Sequence, residues 1–132
     1  MPGKLLVKDY MSTRLTLLAP DMEIQRAVHI LLENKVSGAP VVDEQGALVG
    51  ILTEKDCLRV VLNATYHHEY GGTVEELMVR DVKVMAPNDN LIDAAKRFYE
   101  ERYLRYPVLD NGRLVGQISR SDVMRALGDV WK

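Results

Sequence analysis

One short phrase occurs twice in this chain with the residue types needed to hold a polar ligand: Gly50-Ile51-Leu52-Thr53-Glu54-Lys55-Asp56 and Gly116-Gln117-Ile118-Ser119-Arg120-Ser121-Asp122. Each reads as a glycine-bearing strand that opens into a helix, with a hydroxyl residue at the junction and an aspartate three positions on. Two chemistries fit. The first is local: a Ser or Thr at the N-cap and an acidic residue three positions later form a capping box, which satisfies orphan amides of the first turn. The second turns the same geometry outward. A helix N-terminus offers free amides and a positive dipole end to an anion, the hydroxyl can donate to a phosphate, and a carboxylate has two oxygens for the adjacent 2′ and 3′ hydroxyls of a ribose. Aspartate in both copies, where Glu or Gln reaches back better in a capping box, tips the balance slightly toward ribose.

Other groups carry less chemistry. His67-His68-Glu69 lack the i,i+4 or paired-cysteine spacing of zinc sites and read as a solvated linker. His29 falls on the polar side of its helix, and Tyr66, Tyr70 and Trp131 are too scattered for a base-stacking platform and read as packing or interface anchors. Cys57 is the single cysteine, so no internal disulfide can form, and its setting before Leu58, Val60, Val61 and Leu62 reads as a small buried hydrophobe. With no duplicated nucleophile and base, no Walker-type lysine loop and no metal-ligand cluster, catalysis is not expected.

The elements that position the two phrases are duplicated as well. Shifted by 67 positions, Val7 falls on Val74, Met11 on Met78, Ala19-Pro20 on Ala86-Pro87, Ala27 on Ala94 and Pro40-Val41 on Pro107-Val108. After a one-residue deletion in the second copy, Gly46 matches Gly112, Leu48-Val49-Gly50 matches Leu114-Val115-Gly116, and Asp56 matches Asp122. Two copies of this length predict a closed pseudo-twofold pair rather than an open array. Ile24, Ala27, Val28, Leu31 and Leu32, and in parallel Leu91, Ala94, Ala95, Phe98 and Tyr99, have helical spacing, with Asp21 and Asn88 placed to cap. Two short strands with a tight turn follow at Ala39–Val42 and Leu48–Leu52, and again at Tyr106–Leu109 and Leu114–Ile118. A last helix turns Cys57, Leu58, Val61 and Leu62 inward, and its counterpart turns in Val123, Met124 and Leu127. The predicted fold is α/β (α+β), each repeat running strand, helix, strand, strand, helix. The predicted organisation is repeat 1 over 1–62, a polar linker over 63–72 and repeat 2 over 73–132, with a short capped helix from Thr73 to about Met78.

Composition narrows the partners. The 132 residues are 47% hydrophobic and 27% charged with a net charge of -2, a soluble globular balance without a basic field for nucleic acid or anionic lipid. No apolar run approaches the ~20 residues of a membrane span, and the opening MPGKLLVKDY is too short in apolar residues for a signal peptide, so a cytoplasmic protein is expected.

The duplicated pattern of Pro-Val, turn glycine, Leu-Val-Gly and Thr/Ser-x-x-Asp resembles the CBS domain family in its tandem form, the Bateman module, from about Val7 to Leu127. The resemblance implies repeats packed through their sheets, with two clefts able to take AMP, ADP, ATP or S-adenosylmethionine, and a homodimer of such pairs. It also implies that one cleft joins Thr53 and Asp56 to Lys83, Leu104, Arg105 and Tyr106, and the other joins Ser119 and Asp122 to Thr16, Ser37, Gly38 and Ala39. Only the first gains cations from its partner strands, and Arg105 holds a position where family members often set an arginine against phosphate. Arg120 can add charge to the second. No cofactor is required; the nucleotide is a regulatory ligand, and with no output domain expected on the chain, the regulated protein is a separate, unidentified partner. A ligand-free dimerisation or scaffold module explains the same residues through capping alone.

Overall fold

The computed structural model describes residues 5–67 and 71–131, with side chains from Leu5 to Leu62 and from Gly71 to Trp131. In chain order the elements are α1 (Val7–Tyr10), α2 (Ile24–Glu33), β1 (Gly38–Val42), β2 (Leu48–Thr53), α3 (Glu54–His67), α4 (Val74–Leu77), α5 (Leu91–Glu100), β3 (Arg105–Asp110), β4 (Arg113–Ser119) and α6 (Arg120–Val130). They form two compact units whose bounds are offset from the sequence repeats. One runs Thr16–Val82; the other joins the stretch up to Leu15 to the chain from Lys83 onward. The opening segment of each repeat therefore belongs to the unit built on the other repeat.

Within the Thr16–Val82 unit, β1 and β2 pair antiparallel from Gly38 opposite Thr53 to Val42 opposite Leu48, with a register shift at Val41/Val42. A tight turn joins them: Gly46 has φ 81, and the Asp43 carboxylate accepts the Gln45 and Ala47 amides, both at 2.9 Å. The expected opening strand is reduced to one parallel bridge, Leu18 to Val41, while Val79 bridges Ile51 on the far edge. Leu18, Ile24, Ala27, Leu31, Ala39, Val41, Leu52, Val74, Leu77 and Met78 form the core. The second unit repeats this plan. β3 and β4 pair from Arg105 opposite Ser119 to Asp110 opposite Arg113, Met85 bridges Val108, Ser12 bridges Gln117, and Asn111 and Gly112 turn the hairpin with φ 51 and 82.

Four expectations need correction. The polar stretch expected to be loop from Asn63 is helical through His67; His68, Glu69 and Tyr70, and the side chains of Tyr66 and His67, lie outside the described residues. Asp21 and Asn88 do not cap. The first amides of α2 and α5 go instead to carbonyls of the exchanged segments, Ile24 N to Gly72 O and Leu91 N to Leu5 O, both 2.9 Å, and the N-caps are Glu23 and Asn90. Leu32 and Tyr99 are 69% and 92% exposed, because at 100° per residue an i+8 position lies about 80° round from i, past the stripe a two-stranded sheet covers. Leu58, Val61, Leu62 and Met124 also face out. In α3 the inward face is Asp56 with the half-buried Cys57 and Val60, so the capping aspartate sets the phase of the helix.

The predicted capped helix at Thr73 is present: Glu76 accepts the Thr73 amide at 3.2 Å and its hydroxyl at 3.0 Å. Its partner in the other unit is α1, where Asp9 accepts the Leu6 amide at 3.0 Å. These two segments explain the repeated strand glycines. A Cβ on Gly50 would lie 2.5 Å from the Met78 sulfur and 2.8 Å from the Val79 carbonyl oxygen; on Gly116 it would meet the Met11 sulfur at 2.5 Å and the Ser12 oxygen at 3.0 Å. Gly50→Ala should cost about 1–3 kcal/mol in urea unfolding, and Gly116→Ala less, since its backbone neighbour is farther away. Met78→Ala should relieve only part of the Gly50→Ala loss, because the Val79 carbonyl remains.

Candidate functional site

Both Thr/Ser-x-x-Asp phrases form closed capping boxes. The Asp56 Oδ2 accepts the Thr53 amide and the Thr53 hydroxyl, each at 2.9 Å, and the Asp56 amide donates to Thr53 Oγ1 at 3.3 Å. Asp122 Oδ2 accepts the Ser119 amide at 2.8 Å, and the Asp122 amide donates to Ser119 Oγ at 3.2 Å. The local chemistry read from the sequence is therefore present in both copies. The other carboxylate oxygens differ. Asp122 Oδ1 is taken by Arg125 Nη1 at 3.1 Å, whereas both side-chain hydrogen bonds of Asp56 among the described residues use Oδ2, leaving Oδ1 open. Asp56 is nonetheless 8% exposed, the one buried charged side chain among the described residues.

Strand pairing brings the residues before each Pro-Val next to the capping box of the same repeat. Gly38 stands opposite Thr53, and the Ser37 carbonyl accepts the Glu54 amide at 2.9 Å, while Ala39 is buried and Thr16 is half-buried two residues before the Leu18 bridge. In the other unit Arg105 stands opposite Ser119, and the Leu104 carbonyl accepts the Arg120 amide at 3.2 Å. Gly38 is tight on the sheet, since a Cβ there would meet the Leu52 oxygen at 3.0 Å.

The cations are not equivalent. Lys83 Nζ lies 2.7 Å from Glu101 Oε2, and that bond raises its pKa. Tyr106 is buried at 1% exposure and donates its hydroxyl to Glu101, while Arg97 lies 4.5 Å over its ring, bonds Glu101 at 3.3 Å and donates to the Val84 carbonyl at 2.8 Å. Burial, then the Glu101 hydrogen bond, pushes the Tyr106 phenol up. Arg120 donates Nε to the Tyr103 carbonyl at 3.1 Å. Half-buried Arg105 has no side-chain hydrogen bond among the described residues. Burial, with the Asp56 and Glu54 charges, pushes the Cys57 thiol up, as suits a packing residue.

The sequence reading missed Glu101, which gathers Lys83, Arg97 and Tyr106. The bonds from Lys83 and then Tyr106 hold its carboxyl down at about 2, against an ordinary 4.5. A carboxylate lowered on folding stabilises the native state above its unfolded pKa, and that contribution is lost as pH falls through the folded value. The wild type should therefore lose a share of stability between about pH 4.5 and 2 that Glu101→Gln does not lose, read as urea midpoints against pH. The first repeat has no such cluster, because Thr16, Asn34, Ile30 and Ala39 occupy the matching positions. Arg59 and Arg125, three residues after each aspartate, were missed too. Their matching place in both copies was the available signal.

The comparisons agree with this architecture. The CBS domain family model matches residues 7–63 and 74–129. An uncharacterised protein of Methanocaldococcus jannaschii is 31% identical over 125 residues, covering 95% of this chain, and this chain spans 44% of that protein. CBSX2, a chloroplastic CBS domain-containing protein of Arabidopsis thaliana, is 30% identical over 152 residues, 94% of this chain and 64% of that protein. Its crystal structure in complex with AMP superposes with a TM-score of 0.86 over 98% of this chain and 100% of that chain at 31% identity. The CBS domain pair of protein MJ0100, crystallised with 5′-methylthioadenosine and S-adenosyl-L-methionine, gives 0.78 over 97% and 99% at 29% identity. Two family matches on two repeats of one plan, each carrying its own Thr/Ser-x-x-Asp box, make this chain a tandem pair of the CBS domain family.

Proposed function

We propose that the chain is a non-catalytic regulatory module that binds an adenosine-type ligand, AMP, ADP, ATP or S-adenosylmethionine, and acts on an unidentified protein partner. The observation that carries this reading is the open Oδ1 of Asp56. Its Oδ2 is already fixed by the Thr53 amide and hydroxyl, so the carboxylate is held in place with an acceptor to spare for a ribose hydroxyl. In its own unit Arg105, opposite Ser119 and without a side-chain partner among the described residues, is the cation assigned to phosphate, whereas Lys83 has a secondary role because Glu101 already neutralises it. The relatives crystallised with AMP, 5′-methylthioadenosine and S-adenosyl-L-methionine support the ligand class.

A ligand that binds only the folded state stabilises it by about 2.7 kcal/mol at a hundredfold excess over Kd, a shift of about 10 °C for a chain of this size. At millimolar concentration at least one of the four ligands should raise the melting temperature. No shift with any of them would favour the ligand-free scaffold, for which capping alone accounts for the two boxes. Homodimerisation is proposed with this function: Leu58, Leu62, Met124 and Trp131 are 62%, 58%, 66% and 77% exposed, more apolar side chain than solvated helices usually show. Light scattering should give twice the chain mass at micromolar concentration; a monomer throughout would refute it.

A further inference from the structure

The residue three positions after each capping aspartate is an arginine, Arg59 in α3 and Arg125 in α6. Both fasten a short helix. Arg59 Nη2 donates to the Leu77 carbonyl at 2.6 Å, at the end of α4, and Arg125 Nη2 donates to the matching Tyr10 carbonyl at 2.9 Å, at the end of α1. There the likeness stops. Arg125 also gives Nη1 to Asp122 Oδ1 and lies 5.5 Å over the Tyr10 ring, and Tyr10 in turn donates its hydroxyl to Asp129 at 2.9 Å. Arg59 makes no bond to Asp56 among the described residues.

We propose that Arg125 determines the inequality of the two ribose acceptors: by occupying Asp122 Oδ1 from the Tyr10 carbonyl, it lowers the affinity of the Ser119–Asp122 site for a ribose diol below that of the Thr53–Asp56 site. This rests on the reading of both aspartates as hydroxyl acceptors. A ribose diol needs free acceptor positions on the carboxylate. At Asp122 it must share Oδ1 with a guanidinium that already draws on its charge, whereas at Asp56 only Oδ2 is taken, by Thr53, and Oδ1 is left free among the described residues. The pair is solvent-facing on the arginine side, with side-chain exposure of 56% for Arg125 against 14% for Asp122, so its influence is moderate and sensitive to salt.

The test is calorimetric titration of the full chain with adenosine, which has no phosphate to respond to the lost positive charge. Asp56→Ala isolates the Asp122 acceptor, and Asp122→Ala isolates the Asp56 acceptor. On the Asp56→Ala background, Arg125→Met should raise adenosine affinity about two- to fivefold, the range of a partly exposed ion pair. Arg125→Lys, which keeps a charge beside Asp122, should stay near the background value, and Arg59→Met on the Asp122→Ala background should change nothing. Raising salt from 0.1 to 1 M should increase the affinity of the Asp56→Ala protein and leave its Arg125→Met derivative unchanged; this arm decides the matter if Arg125→Met unfolds. Equal or weaker binding by Arg125→Met, or affinity of the Asp56→Ala protein that is flat with salt, would overturn the proposal while leaving both acceptors in place. If the wild type binds neither adenosine nor AMP, the acceptor reading itself is wrong and the proposal falls with it.

Discussion

Asp56→Ala is expected to weaken AMP and adenosine alike by on the order of ten- to a hundredfold, because two ribose hydroxyls lose their acceptors at a cost of about 1–3 kcal/mol. The same substitution also opens the capping box, removing the bonds to the Thr53 amide and hydroxyl, and should lower stability by about 0.5–2 kcal/mol. Asp56→Asn separates the two effects. Its amide oxygen can still receive the Thr53 amide, so most of the stability should remain, yet one acceptor is replaced by a donor and ribose affinity should still fall. Urea unfolding measures the first quantity and calorimetry the second. A loss of stability with unchanged affinity in both variants would make Asp56 a cap and nothing more. Arg105→Ala should differ in kind, weakening AMP while leaving adenosine untouched, since its assigned bond is to phosphate.

The largest loss of stability is expected at Tyr106. Its ring lies 4.8 Å from Phe98 and 5.5 Å from Tyr103, under the Arg97 guanidinium, and its hydroxyl reaches Glu101. Tyr106→Ala removes a buried aromatic from the second core and takes a donor from Glu101, a combination that should cost about 3–5 kcal/mol. Tyr106→Phe keeps the packing and loses only the hydroxyl bond, for about 1 kcal/mol. The matching residue of the first repeat, Ala39, carries no such load. Urea unfolding of the two variants should therefore give losses that differ severalfold; similar losses would mean that the Glu101 bond outweighs the ring.

Much of the architecture was legible because the chain states it twice. The hairpins follow from Pro-Val, a turn glycine and Leu-Val-Gly, and the capping boxes follow from residue type and spacing alone. What could not be read is how segments are exchanged. Comparing Val7 with Val74 shows that each repeat opens alike, but self-comparison cannot show that the stretch around Val74 docks on α2 and that around Val7 on α5. That exchange replaces the side-chain caps expected at Asp21 and Asn88 with backbone carbonyls. It also accounts for Gly50 and Gly116, which admit the Met78 and Met11 side chains. The phase of α3 was misread for a related reason. Leu58, Val61 and Leu62 fit an inward stripe by hydropathy, but a polar residue, Asp56, points inward because its carboxylate caps the helix. Among the ligand candidates, the residue types around each box were readable, whereas the capture of Lys83 by Glu101 depends on side-chain positions that spacing does not encode.

Native mass spectrometry during titration with AMP tests the central claim most directly, because it counts bound nucleotides and subunits together. A dimer that takes up one AMP per chain at low concentration and a second only at higher concentration, with the first step missing in Asp56→Ala, is the predicted result. A protein that carries no AMP up to millimolar concentration, or whose first AMP binds equally well without Asp56, would contradict it.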